Sequence, residues 1–241
     1  IMNQYTIHDK YLSISWLDGI HQSVHDYLNH RARNRDGFLV PLPHQTYVCT
    51  LFTKEWCDRI NRELHRYDDW LLSGNRPQSP PNSMHEYGVI LTEIGFAKVL
   101  EELTQLVILP LISHLYPEVN SHNISNLHAF SVQYGAHGDR DLGFHVDASE
   151  VTVNICLGES WEGGELYFQG RRCSLHRQER HRPEEHFEYT HIPGEMLIHA
   201  GKHRHGVHPL RSGFRRNIII WYSTGEYVED EECPSWCQHN P

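Results

Sequence analysis

Two hydrophobic periods divide the chain. Over roughly the first hundred residues apolar positions recur every three to four residues, as on one buried helix face; from His128 they alternate, as in strands. The clearest helical signal is Trp56, Ile60, Leu64, Tyr67 and Leu71, in steps of 4, 4, 3 and 4. Thr53 precedes that stripe as an N-cap and Gly74 follows it as a stop. A shorter stripe, Ile20, Val24, Tyr27 and Leu28, predicts a helix capped by Asp18 and running to about Asn29. A third helix is predicted over about Ala97 to Tyr116, interrupted near Pro110 and ended before Pro117. Residues 75–82, with Pro77, Pro80 and Pro81, must be a loop, and Tyr87–Leu91 reads as a short strand.

The alternating half predicts strands at His128–Tyr134, Val151–Leu157, Glu165–Gln169, His186–Ile192, Met196–Ala200 and Arg216–Ser223. Glycines at 135, 138, 143, 158, 163, 164, 194, 201 and 213 punctuate them, which is the pattern of a sandwich or barrel. The expected class is α+β: one unit over 1–241, with a mainly helical support region at 1–120 and a β core at 121–241. Residues 171–188 are almost wholly polar and read as a solvated loop or hairpin extension. Their histidines, 176, 181 and 186, continue to His191 at a five-residue spacing that fits neither a helix face nor a strand face.

Composition narrows the function. The 241 residues carry 21 Lys+Arg against 31 Asp+Glu, a net charge of −10, which argues against binding phosphate backbones. No apolar run is long enough to span a membrane as a helix. Six cysteines are too few for a disulfide scaffold. The start, Ile1-Met2-Asn3-Gln4-Tyr5, lacks the basic and apolar segments of a signal peptide, although a trimmed start is compatible with it. An intracellular, reducing setting is the expectation. Cys233 and Cys237 form a C-x3-C pair without a second pair at zinc-finger spacing, and are taken as ordinary thiols.

The chemistry concentrates at His145-Val146-Asp147 and His205, with Arg215 ten residues further on. Two imidazoles and a carboxylate are the donors that hold Fe(II) on one face and leave positions open for an oxo acid and O2. A guanidinium suits the far carboxylate of such an acid, because it forks onto two oxygens. Strand alternation puts Arg215, Asn217 and Trp221 on one face with Arg216 opposite, and Phe130, Val132 and Tyr134 on another single face. Four histidines crowd the downstream segment: His199, His203, His205 and His208. His203 is the fallback ligand, and His199 and His208 are read as supporting residues.

The stretches PNSMHEYGVILTEIG (81–95), HAFSVQY (128–134), GFHVDASEVTVNICLG (143–158), GGELYF (163–168), HGVHPLRSGFRRNIIIWY (205–222) and CPSWC (233–237) occur in order. Together they resemble the 2-oxoglutarate- and Fe(II)-dependent dioxygenases of the prolyl and lysyl hydroxylase type, especially the group called 2-oxoglutarate and iron-dependent oxygenase domain-containing proteins. The resemblance covers about two thirds of the chain. It implies a double-stranded β-helix, or jelly roll, with the N-terminal helical layer packed on one sheet. It implies His145, Asp147 and His205 as iron ligands and Arg215 as the partner of the distal carboxylate of 2-oxoglutarate. It also implies Tyr134 and Asn154 as co-substrate contacts, and Trp221 as a wall of the same pocket. Prolyl 4-hydroxylases usually carry Lys at the anchor position, whereas this chain has Arg, as lysyl hydroxylases do.

The implied activity is hydroxylation of an unactivated C–H bond, with release of succinate and CO2 and with ascorbate as an accessory reductant. Another divalent ion is able to stand in for iron, since donor sets of this kind do not favour Fe(II). The implied partners are 2-oxoglutarate, O2 and a protein or peptide substrate bearing a Pro or Lys side chain. The alternatives are an oxygenase acting on a nucleic acid or small molecule, and a non-enzymatic, metal-binding, cupin-like interaction module.

Overall fold

The computed structural model describes residues 5–29, 38–74, 80–225, 230 and 232–239. Positions 75–79 of the expected loop lie outside the described residues, as do the acidic residues Glu226, Glu229 and Glu231.

Thr53 caps α2 (Lys54–Ser73) as its sequence predicts, accepting a hydrogen bond from the Trp56 amide at 3.3 Å. Trp56, Ile60, Leu64 and Leu71 are buried along one stripe. The first helix, α1 (Gln22–Asn29), starts four residues after Asp18, which sits instead in a 3-10 turn at Leu17–Gly19. The third helix is continuous but deformed: α3 (Ala97–Leu103) passes through a π turn at Thr104–Ile108 into α4 (Leu109–Leu115). Pro110 lacks an amide hydrogen, and its ring would press on the Leu106 carbonyl in a regular helix; the wider turn relieves both.

The strands among the described residues are β1 (Val40–Leu42), β2 (Thr46–Thr50), β3 (Gly88–Ile90), β4 (Asn126–Gly135), β5 (Leu142–His145) and β6 (Val151–Gly163). After them come β7 (Leu166–Arg171), β8 (His186–Tyr189), β9 (Glu195–Ala200), β10 (His203–Val207) and β11 (Leu210–Ser223). They form a seven-stranded sheet, β1-β2-β9-β6-β11-β4-β3, and a four-stranded sheet, β5-β10-β7-β8. Every neighbouring pair in both sheets is antiparallel. The two-sheet architecture is the expected double-stranded β-helix.

Alternation along β11 sorts its side chains as the sequence predicts. Ile218, Ile220 and Tyr222 join the helices, with Trp16, Phe52, Ile60 and Phe96, in the larger core. Ile219 packs the other way, with Phe130, Val132 and Tyr134 of β4, Phe168 of β7 and Val207 of β10, in a second core drawn from both sheets. Arg216, opposite Arg215, reaches out to Asp68 of α2 at 2.5 Å.

Three differences from expectation matter. Residues 40–50, in the stretch expected to be mainly helical, form a hairpin whose β2 pairs with β9 and extends the large sheet. The short strands β5 and β10 escape the sequence pattern because LGFH and HRHGV carry too few apolar residues to alternate. The loop at 171–188 is not a purely solvated extension. Arg172, Cys173 and Glu185 are buried, and Arg172 grips the Glu185 carboxylate with two bonds of 2.8 and 2.9 Å.

Candidate active site

The two strands that the pattern missed deliver the candidate ligands. His145 ends β5 and faces His205 of β10 directly across the ladder, with ring centroids 4.2 Å apart. Asp147 follows two residues later, where its amide is held by the Gly201 carbonyl at 2.9 Å. Gly201 lies so close to the Ser149 carbonyl that any side chain there would collide with it. Ligand atoms of His145, Asp147 and His205 all lie within 4.8 Å of one another. The Asp147 oxygens are 3.4 Å from His145 Nε2 and 3.7 Å from His205 Nε2.

Both imidazoles are oriented alike. His145 Nδ1 sits 2.8 Å from the Gly143 carbonyl, and His205 Nδ1 sits 2.8 Å from the His203 carbonyl. A carbonyl accepts only, so Nδ1 carries the proton and Nε2 presents a lone pair inward, as a metal requires. Thr152 donates to Asp147 at 2.5 Å and is itself linked to Ser149 at 2.9 Å, which fixes the carboxylate. Burial opposes ionisation of Asp147, yet the neighbouring His205, His145 and His199 hold it well below the usual carboxylate range. Burial and the proximity of His145 hold His205 neutral, well below the ordinary imidazole value. Burial opposes protonation of His145, yet the Asp147 carboxylate beside it pushes it above the ordinary imidazole value. A buried anion between two imidazoles fits a divalent cation.

The cavity above this cluster is walled by Phe130, Leu142, Leu166, Val207 and Ile219, and by Tyr134, Asn154 and Trp221 of the predicted contacts. Arg215 is not on that wall. It lies behind, paired across the ladder with Tyr134, its guanidinium 4.9 Å from that ring's centroid. One guanidinium nitrogen, Nη1, donates to the Gly164 carbonyl, while Nε and Nη2 are buried with no partner. Buried guanidinium hydrogens without acceptors are costly to leave unmade, and an anion entering beside Tyr134 would satisfy them. Asn154 accepts from Asn217 at 2.7 Å, next to the same guanidinium's strand.

The other downstream histidines do other things. His203 turns toward Thr46 Oγ1 at 3.2 Å, His199 lies behind Asp147 at 3.9 Å, and His208 pairs with Glu188 at 2.9 Å. His85 was not singled out from the sequence, although it lies in the 81–95 stretch. It is buried on the cavity wall and its Nε2 is 3.0 Å from the Tyr134 hydroxyl. Burial first, then His145, holds it down to about 4. A lone histidine after a proline-rich loop carried no period that would have marked it.

His191 gives the site a pH signature. It is buried against Asn217, and burial together with the Arg215 charge holds it down to about 3, against an ordinary value near 6.5. The unfolded chain therefore takes up this proton first. Stability is complete above about pH 6.5 and is withdrawn as pH falls toward about 3, by up to about 1.4 kcal/mol per unit. His191→Gln is expected to flatten that loss in melting curves taken between about pH 6.5 and 4. An equally steep loss in the variant would assign the effect to other groups.

Comparison with known proteins places these observations. A family model described as an OGFOD2-like domain matches residues 3–121. The 2-oxoglutarate and iron-dependent oxygenase domain-containing protein ICU11 of Arabidopsis thaliana is 36% identical over 195 residues, covering 79% of this chain and 49% of that protein. The chain belongs to this family of 2-oxoglutarate and iron-dependent oxygenase domain-containing proteins. Human protein 2 of the family is 32% identical over 193 residues, with 80% of this chain and 52% of that protein covered. The chain thus spans about half the length of these curated relatives. Mouse procollagen-lysine,2-oxoglutarate 5-dioxygenase 1 is 29% identical over 188 residues, covering 74% of this chain and 24% of that protein. Among solved structures, the non-heme alpha-ketoglutarate-dependent carbocyclase SnoK superposes with a TM-score of 0.52 at 11% identity, over 75% of this chain and 80% of that one. EvdO2 of Micromonospora carbonacea gives 0.51 at 12%, over 81% and 93%. At such identities the likeness is one of fold.

Proposed function

We propose that the chain is an Fe(II)- and 2-oxoglutarate-dependent hydroxylase acting on a protein side chain of the Pro or Lys class. The observation that carries this is the pairing of a His145/Asp147/His205 cluster with a buried guanidinium, Arg215, whose Nε and Nη2 lack acceptors. In this reading the three residues hold iron and Arg215 takes the far carboxylate of 2-oxoglutarate. Tyr134 and Asn154 contact the co-substrate, and Trp221 closes the wall. Iron bound there with 2-oxoglutarate would supply activation of O2, one atom of which would enter succinate as CO2 is lost while the other would become the hydroxyl on the C–H carbon.

The chain's own part is placement. The Gly143 and His203 carbonyls keep both Nε2 atoms facing inward, and Thr152 keeps the carboxylate turned toward them. Phe130, Leu166, Val207 and Ile219 exclude water, which strengthens the charge contacts between Arg215 and the anion. The lysyl target draws support from the procollagen-lysine relative and from Arg, rather than Lys, at the anchor position.

An anaerobic titration with Fe(II) and 2-oxoglutarate tests the reading. A visible charge-transfer band is expected in the parent protein. Arg215→Ala is expected to weaken 2-oxoglutarate by roughly 30-fold or more, since removing one partner of a buried charge pair costs about 2 kcal/mol or more. Iron affinity should hold. Iron binding with no band at any 2-oxoglutarate concentration would promote the non-enzymatic metal-binding reading. Mass spectrometry of Pro- and Lys-containing peptides after turnover then separates the substrate classes.

A further inference from the structure

The geometry points to a second metal site, structural and zinc-binding, formed by Cys173, His176, Cys233 and Cys237. It stands apart from the iron cluster and does not depend on the oxygenase reading.

The four side chains come from two segments more than fifty residues apart in sequence, yet their ligand atoms lie within 4.8 Å of one another. Cys173 Sγ is 4.0 Å from Cys233 Sγ and 3.1 Å from His176 Nδ1, and Cys237 Sγ is 3.7 Å from the same nitrogen. A tetrahedral zinc with bonds of about 2.3 Å to sulfur and about 2.0 Å to nitrogen sets sulfur–sulfur separations near about 3.8 Å and sulfur–nitrogen separations near about 3.5 Å. The two observed sulfur–nitrogen spacings bracket theirs, and the 4.0 Å sulfur–sulfur separation lies just above its own. Three thiolates and one imidazole are also a donor set that zinc takes in closed, structural sites.

Each ligand pair is presented by its own turn. The His176 amide bonds the Cys173 carbonyl at 3.1 Å, and the Cys237 amide bonds the Pro234 carbonyl at 3.0 Å. The two turns are tied to each other through Ser174 and Asp230, whose amides donate to each other's side chains at 3.0 and 2.8 Å. The Cys173 amide donates to Cys237 Sγ at 3.3 Å, the outer-shell contact that favours a thiolate. His239 stacks on His176 with centroids 4.6 Å apart and sits 3.2 Å from Cys233 Sγ, covering the cluster rather than completing it.

The sequence alone offers Cys233 and Cys237 as ordinary thiols, whereas the fold sets Cys173 and His176 of the 171–188 segment beside them. Cys173-Ser-Leu-His176 is a C-x2-H pair, and it supplies the second half that C-x3-C lacked. A disulfide is the competing use of these residues, but one bridge would leave a thiol and an imidazole stranded.

The site has a structural task. Its loop leaves β7 at Arg171, and the carbonyls of Arg177 and Glu179 within it accept from buried Arg204. Arg204 lies between His203 and His205 on β10. Zinc at the base of this loop would therefore brace the strand that carries a candidate iron ligand.

The test is metal analysis of the purified chain and four variants by mass spectrometry, with zinc release by a mercurial thiol reagent. One zinc per chain is expected in the parent and in His145→Ala/Asp147→Ala, and none in Cys173→Ser/Cys237→Ser. If the double serine variant fails to fold, His176→Cys should keep zinc as a tetrathiolate and His239→Ala should keep it unchanged. Cobalt substitution of the parent should give the strong near-ultraviolet sulfur-to-metal band, retained in His145→Ala/Asp147→Ala. Zinc lost from His145→Ala/Asp147→Ala, a metal other than zinc in stoichiometric amount in that variant, or an intact mass two daltons light from a disulfide would each overturn the assignment.

Discussion

Asp147→Ala is expected to abolish binding of Fe(II) or Mn(II) while leaving the metal-free fold intact. The carboxylate is buried, with His145, His199 and His205 within 3.4 to 3.9 Å of its oxygens, and it is the one anion in that cluster. Without it, two neutral imidazoles remain, which is too weak a donor set for a hard-to-borderline divalent ion. The fold gives up little, because the energy of burying the charge disappears along with its contacts. Calorimetric melting separates the two effects. At a hundred times its dissociation constant, Mn(II) should stabilise the parent by about 2.7 kcal/mol and the variant not at all. Mn(II) is the better probe, since a thiolate-rich site elsewhere in the chain does not compete for it. A variant that still gains stability with Mn(II) would remove Asp147 from the ligand set, and with it the iron site as drawn.

The second large effect lies outside the cavity. Glu185→Ala is expected to destabilise the chain by about 3–5 kcal/mol, because it leaves buried arginines without their carboxylate. Glu185 is wholly buried. It takes two bonds from Arg172 and further ones from the amide of Arg182 at 2.7 Å and its guanidinium at 3.0 Å, and Arg204 lies 3.9 Å away. Arg172 and Arg204 are themselves fully buried. Burial opposes its ionisation, but the Arg172 contact prevails and holds the carboxyl below its usual range. For a chain of this size the melting temperature should fall by roughly 6–20 °C. Glu185→Gln, which keeps the shape and part of the bonding, should lose less. A change within about 1 kcal/mol for the alanine variant would mean that the arginines find water or backbone carbonyls in its place.

Arg204, beside the affected carboxylate, explains why this buried ion network bears on the site. Its guanidinium also donates to carbonyls of Gln169, Gly170, Arg177 and Glu179, so it ties the loop after β7 onto the back of β10. The front of β10 presents His205. Loss of Glu185 is thus felt two ways, as a lower melting point and as a looser seat for that imidazole.

What the sequence determined by itself is whatever depends on near neighbours. A 3.6-residue stripe made α2, a threonine hydroxyl capped it, and period-2 alternation sorted β11 into a helix-facing and a cavity-facing side. H-x-D, His205 and Arg215 were visible as candidates because their chemistry is unusual and their spacing fits a strand-borne cluster. Tertiary structure decided the rest. Strands β5 and β10 are stable only as partners of each other and of β7, so their own residues carry no strand pattern. Which of four crowded histidines faces Asp147 depended on that pairing, and on the irregular register between His203 and His205 that turns His203 toward Thr46. Arg215 ended up behind Tyr134 rather than on the cavity wall, a position set by the β4–β11 ladder. The union of Cys173 and His176 with Cys233 and Cys237 was beyond any local pattern. Periodicity reports what one segment buries, whereas a site made from distant segments exists only once their backbones have been paired.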